Sequence, residues 1–327
     1  MAGVCMDEYR GARGGDVSTR PAARSPLTDL AWSLLWLALY ACFTLVVAFL
    51  RELAAEAWLP SAVVLVMSGV LLGREWRRAK RRDYGDTLSG TAAWWALVPL
   101  LCMPLLYAQI GDLVASKPMH DVSILSLEHR WFGEPAREWA RRYPSRTLSA
   151  VLHLGYLSYY FVIYLPPLRL ALRRDDRALN ETVLALTMAF VAGFVCFVLW
   201  PVEGPRYRWP ALGNIDDNHV QRLTHAVLER YSSRGTAFPS SHVSVAVVQT
   251  LLAWRWQRRL AWALTPLAIT LAIGAVYGGL HYLIDVVVGA LLGTIVATSV
   301  LLRARVRRVP FVAGGRGSGS PTRGALG

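Results

Sequence analysis

From Leu30 to Leu50 the chain carries no charged residue. A bilayer core of about 30 Å takes about 20 apolar residues in a helix. Inside it every backbone polar group must be bonded within the segment. This block therefore reads as a membrane-spanning helix, and it sets the terms for the rest of the chain. Seven further blocks follow: Ala57 to Gly73, Thr87 to Gly111, Thr147 to Leu168, Thr182 to Val202, Phe238 to Trp254, Leu260 to Leu280 and Tyr282 to Leu302. Only the last contains an acidic residue, Asp285. The pattern predicts an all-α, polytopic integral membrane helix bundle of about eight transmembrane helices. Hydrophobic residues make up 54% of the 327-residue chain, and their segregation into blocks excludes an ordinary soluble domain.

The net charge of +13 comes from 35 Lys+Arg against 22 Asp+Glu. In a soluble chain it would suggest nucleic acid as a partner. Here the arginines fall in the connections, where they set orientation and meet anionic lipid headgroups, so membrane lipids are the expected partner and nucleic acid is not. The second connection holds Arg74, Arg77, Arg78, Lys80, Arg81 and Arg82, which places it in the cytoplasm. Counting outward, both termini and the fourth and sixth connections should also be cytoplasmic. Arg173, Arg174 and Arg177, then Arg255, Arg258 and Arg259, then Arg303, Arg305, Arg307 and Arg308 agree with that count.

Residues 1–28 contain Arg10, Arg13, Arg20 and Arg24 without an apolar stretch, so they read as a flexible cytoplasmic tail rather than a cleavable signal peptide. Residues 309–327, rich in Gly, Ser and Pro, read as a disordered tail. Between them, 29–86 form two extra spans and 87–308 the main membrane domain. Cys5, Cys42, Cys102 and Cys196 are scattered and imply neither a disulfide framework nor a metal site. Leu127 to Arg142 mixes Trp131, Phe132 and Trp139 with charges, as an interfacial helix would. Asp216 to Tyr231 places Val220, Leu223, Val227, Leu228 and Tyr231 at helical spacing, with Asp216 or Asp217 as the start.

Chemistry-bearing residues gather at the outer ends of the last four spans. Trp200 to Arg206 leaves the fifth, Gly235 to His242 enters the sixth, and Tyr277 to Asp285 turns the seventh into the eighth. An ionisable Asp285 inside an apolar helix points to function. His281, its i−4 neighbour, shares that helix face, and the carboxylate can fix one imidazole tautomer and leave the other nitrogen free to attack. Alone, the pair reads more readily as a buried packing contact. A helix starting at Ser240-Ser241-His242 adds free backbone N–H groups and a positive dipole end, an anion site that the serine hydroxyls complement. Arg206 completes it as a bidentate clamp on phosphate. His153 reads as a hydrogen-bonded interior histidine.

Pro239-Ser240-Ser241-His242, followed about 40 residues later by Gly279-Leu280-His281-Tyr282-Leu283-Ile284-Asp285, resembles the type 2 phosphatidic acid phosphatase superfamily. That superfamily includes vanadium haloperoxidases and, in one branch, fungal inositol phosphorylceramide synthases. Its motifs are KxxxxxxRP, PSGH and SRxxxxxHxxxD. Arg206 matches the first-motif arginine, Ser240 and Ser241 the serine and glycine, His242 the second-motif histidine, and His281 and Asp285 the third motif. The first-motif lysine falls at Leu199, the third-motif arginine at Ala275, and Tyr207 stands where the family has proline. The inositol phosphorylceramide synthase-like branch is similar in lacking these cations; Arg208 and Arg234 are candidates to replace them.

The resemblance implies that the last six spans form the catalytic core. It also implies that His281 is the nucleophile of a phosphohistidine intermediate, that Asp285 orients it, and that His242 is the acid and base. Arg206, Ser240 and Ser241 would bind phosphate, with no cofactor and no metal. The expected substrate is a lipid phosphate, handled on the extracytoplasmic side. The acceptor is water in a phosphatase, or an alcohol in a phosphotransferase resembling inositol phosphorylceramide synthase. A transporter, in which the same His and Asp residues line a proton or anion path, is the competing class. A CDP-alcohol phosphotransferase would need an Asp-rich metal motif absent from this sequence.

Overall fold

A computed structural model of the chain describes residues 28–81, 92–209 and 218–306. The expected tails, the span start at Thr87, the helix start at Asp216 or Asp217, and Cys5, Arg82, Arg307 and Arg308 lie outside the described residues. Helices α1 (Asp29–Leu50) and α2 (Ala55–Arg81) form a hairpin, followed by the short α3 (Ala92–Ala96), α4 (Val98–Ala108) and α5 (Ile110–Val114). Next come α6 (Asp121–Phe132), α7 (Pro135–Arg142), α8 (Arg146–Leu157) and α9 (Tyr159–Leu172). The remainder is α10 (Asp176–Leu199), α11 (Pro205–Arg208), α12 (His219–Tyr231), α13 (Ser241–Trp256), α14 (Arg258–Tyr277) and α15 (Leu283–Val306). Among the described residues the single extended contact is a bridge between Val202 and Thr236. The all-α bundle read from the sequence is therefore the fold.

The span count is less regular than the apolar blocks. Five helices (α1, α2, α10, α14 and α15) are long and apolar enough to cross a membrane, and α8 and α9 meet the same criterion only as a pair bent by 41°, a broken span or a re-entrant loop. Two expected spans come out short. In the third block a turn at Leu97 and a break at Gln109 leave Trp94–Ala108 as the apolar helical run. The sixth block starts its helix at Ser241, not Phe238, because Ser240 caps it; its 16 residues rise about 24 Å. The interfacial segment is two helices: Gly133, at φ 76°, and Pro135 separate α6 from α7. Asn218 caps α12 by accepting from Gln221 N at 2.9 Å, and α12 buries Gln221, Thr224 and Leu228. Of the apolar residues at helical spacing, Leu228 is buried, whereas Leu223 and Tyr231 are exposed.

The α10 helix is the axis of the bundle: 72% of its apolar window is buried, against 44% or less in the other long helices. One hydrophobic core runs from Leu37 of α1 to Val300 of α15, so the first two helices share it with the rest. Phe49, Val66, Leu101, Trp262 and Ile295 point outward as an apolar surface, which a multi-pass membrane protein turns to lipid. Cys42, Cys102 and Cys196 are free thiols. His153 is buried, with its Nδ1 2.7 Å from the Ser149 carbonyl, the interior histidine the sequence suggests.

One helix contact fixes the working end of the bundle. A Cβ on Gly289 would lie 2.4 Å from the Ser240 carbonyl oxygen, and one on Gly293 2.4 Å from that of Ser244. Only hydrogen fits between these backbones, so α15 lies directly on α13. Gly293→Ala should lower the thermal unfolding midpoint in detergent, by the roughly 1–3 kcal/mol that overpacking costs. Gly69→Ala, with nothing within 4 Å of the added atom, should leave it unchanged. Equal midpoints for the two variants would contradict this packing.

Candidate active site

Two loops and one helix turn meet at the end of the bundle. Beyond α10, Val202 N donates to the Gly235 carbonyl at 3.2 Å and Ala237 N to the Val202 carbonyl at 2.8 Å. This pairing lines up the chain that carries Arg206 with the chain that leads to His242. Gly204, at φ 95°, turns the first loop into α11; a Cβ there would press on Ala237 at 3.1 Å. Two buried carboxylates of α6, Asp121 and Glu128, hold backbone N–H groups of these segments. The sequence reading passed over both, although their spacing puts them on one helix face.

His281 is not on a helix face as expected. The α14 helix ends at Tyr277, Leu280 N and His281 N both donate to the Ala275 carbonyl at 3.0 Å, and α15 begins two residues after His281. The imidazole Nδ1 lies 3.0 Å from the Ala237 carbonyl oxygen and 3.5 Å from Asp285 Oδ2. The carbonyl is thus the nearer acceptor, while Asp285 Oδ2 also takes Tyr282 N at 2.8 Å. Both acceptors place the proton on Nδ1, which leaves the Nε2 lone pair available. Asp285 is thus one of two acceptors facing Nδ1, the other being the Ala237 carbonyl.

His242 sits in the first turn of α13. Its Nε2 is 3.3 Å from the Tyr156 hydroxyl, and Tyr156 stacks on the ring at 4.9 Å. Tyr159 lies 4.1 Å away on ring centres, and His281 5.8 Å. Arg206 donates to Ser232 Oγ at 2.9 Å and to the Tyr207 hydroxyl at 2.5 Å. A small cleft of about 30 Å³ is lined by Arg206, His242 and His281 together with the hydroxyls of Tyr107, Tyr156 and Thr236. Beside it opens an apolar cavity of about 660 Å³, walled by Met103, Tyr159, Ile163, Phe190, Phe194 and Tyr231. His242 belongs to both.

The other expected residues are placed differently. Ser240 is fully buried as the cap of α13, its Oγ accepting from Val243 N at 3.4 Å. Its own N–H donates to the Asp285 carbonyl at 3.0 Å, so that group is not available to an anion. Ser241 lines the apolar cavity and not the cleft. Arg234 is paired with Glu203, and Arg208 is exposed away from the cleft lining. Neither arginine is in the cleft lining; of the positions where the family cations are missing, Leu199 is exposed and Ala275 is buried. Hydroxyl groups line the cleft instead. No group of three or more His, Cys, Asp or Glu side chains among the described residues is arranged to hold a metal ion. Ser240→Ala should cost about 1 kcal/mol of stability as the loss of a helix cap, measured as a lowered unfolding midpoint. No change would contradict the capping role.

No curated protein and no solved structure matches the chain. A family model described as the PAP2 superfamily matches residues 123–299, which span α6 to α15 and contain Arg206, His242, His281 and Asp285. With more than half of the chain matched, the protein belongs to the PAP2 superfamily.

Proposed function

We propose that the protein is a membrane-embedded lipid phosphate phosphatase or phosphotransferase working through a phosphohistidine on His281. The observation that carries this reading is the pair of imidazoles. His281 has Nδ1 bonded to Ala237 and Asp285, and it faces His242 across 5.8 Å with Arg206 in the same cleft. The adjoining apolar cavity of about 660 Å³ supports a lipid over a soluble phosphate ester.

In the first step His281 Nε2 attacks phosphorus, the bond to the lipid oxygen breaks, and His242 delivers a proton to that oxygen. Arg206 and the N–H group of His242 at the start of α13 stabilise the charge on the remaining oxygens. In the second step His242 takes the proton of the acceptor, whose oxygen attacks phosphorus and frees His281. Charge is balanced by Arg206 and the helix start, so activity should persist in EDTA. The arginine-rich ends of α2, α9, α13 and α15 lie at the far end of the bundle from the cleft, which favours a cytoplasmic position for them and an extracytoplasmic cleft. Transfer of a phospho-headgroup to a lipid alcohol, as in the inositol phosphorylceramide synthase-like branch, is favoured by one observation: Leu199 and Ala275 replace the two family cations.

The test is purified protein in EDTA with phosphatidate, a polyprenyl diphosphate, or phosphatidylinositol plus ceramide. Free phosphate identifies a phosphatase and a new phosphodiester lipid a transferase. His281→Ala should lower turnover at least about 10³-fold. Undiminished turnover in that variant, or dependence on a divalent metal, would contradict the reading.

A further inference from the structure

The α6 helix touches both halves of the cleft through two carboxylates. Asp121 Oδ2 accepts from Glu203 N and Oδ1 from Gly204 N, each at 2.9 Å. Glu128 Oε1 accepts from Leu283 N and Oε2 from Ile284 N, also at 2.9 Å. The Tyr282 hydroxyl adds a contact to Asp121 Oδ1 at 3.3 Å. Asp121 and Glu128 are 8% and 1% exposed, so both charges sit in the protein interior. Burial pushes the Glu128 carboxyl above its ordinary value, against the two N–H donors that favour the carboxylate. Burying two carboxylates is costly unless hydrogen bonds compensate, and here the compensating groups are backbone N–H groups of two segments far apart in sequence.

Those segments hold the proposed catalytic groups. Glu203 and Gly204 precede Pro205 and Arg206, and Leu283 and Ile284 lie between His281 and Asp285. Residues seven apart share one helix face, so both carboxylates reach inward from the same side of α6. The opposite side presents Ser123, Ser126 and Arg130 to the surroundings. We infer that Asp121 and Glu128 are positioning residues: α6 is a strut whose two carboxylates fix the place of the phosphate clamp, Arg206, relative to the nucleophile turn, His281 to Asp285. This inference rests on the proposed phosphohistidine function. It assigns the two carboxylates different kinetic roles. Asp121 holds the segment that binds phosphate; Glu128 holds the segment that attacks it.

An amide in place of each carboxylate keeps the shape but turns one acceptor oxygen into a donor facing a backbone N–H. Asp121→Asn and Glu128→Gln would be assayed on the lipid phosphate that the wild type turns over, with inorganic phosphate as competitor. Glu128→Gln should lower kcat about 10²-fold, the order of loss that an ångström of misplacement produces, with KM within about threefold. Asp121→Asn should instead raise KM and the inhibition constant of inorganic phosphate by at least about tenfold, with a smaller change in kcat. A merely structural role would reduce the amount of folded enzyme and leave both constants of the surviving fraction unaltered.

If an amide variant does not purify as a monodisperse protein, Glu128→Asp and Asp121→Glu, which keep the charge and change only its reach, should show the same split at smaller size. His281→Ala is run alongside. If it is inactive while kcat and KM of all four carboxylate variants match the wild type, the strut is overturned and the proposed function stands. Wild-type turnover in His281→Ala overturns the proposed function, and the strut with it.

Discussion

The site depends on how closely α15 lies against α13. Hydrogen-only faces at Gly289 and Gly293 let the two backbones meet, and Ser240 N then reaches the Asp285 carbonyl at 3.0 Å. That single bond joins the start of the helix bearing His242 to the turn bearing His281. A larger side chain at either glycine would push α15 and α13, and with them the two imidazoles, apart. Small residues at a helix interface serve packing in many membrane proteins. Here the same contact also sets the distance between His242 and His281.

A second consequence of the architecture is the placement of His242 on a border. On one side is a cleft of about 30 Å³ lined by Arg206, His281 and hydroxyl groups; on the other is an apolar cavity of about 660 Å³. In the proposed reaction His242 gives a proton to a lipid oxygen and later takes one from the acceptor, so it has to reach both surroundings. Tyr156 and Tyr159 pack against the imidazole and hold it there. Ionisable side chains at the helix ends, gathered in one cleft, fit the enzyme reading better than a proton path through the bilayer.

Much of this was legible in the sequence because burial in a membrane constrains composition so strongly. The uncharged blocks gave the helices, and the spacing of His242, His281 and Asp285 gave the family. What was not legible depends on local geometry. Ser240 was expected both to cap a helix and to donate to phosphate; it caps α13, but it is fully buried and outside the cleft lining. Arg234 looked like a spare cation until Glu203, 31 positions away, was found beside it. His281 was placed on the helix face of Asp285 by counting residues, whereas α15 starts only at Leu283. Asp121 and Glu128 were passed over because their partners are backbone groups of distant segments, which leave no mark on a residue pattern.

The measurement that bears most directly on the central claim is the site of the covalent phosphate. Enzyme mixed with 32P-labelled lipid phosphate, quenched in alkali within a turnover and digested for mass spectrometry, should carry label on His281. The bond should be stable to alkali and labile to acid, and His281→Gln should carry none. Label on a serine, or label undiminished in His281→Gln, would contradict the account.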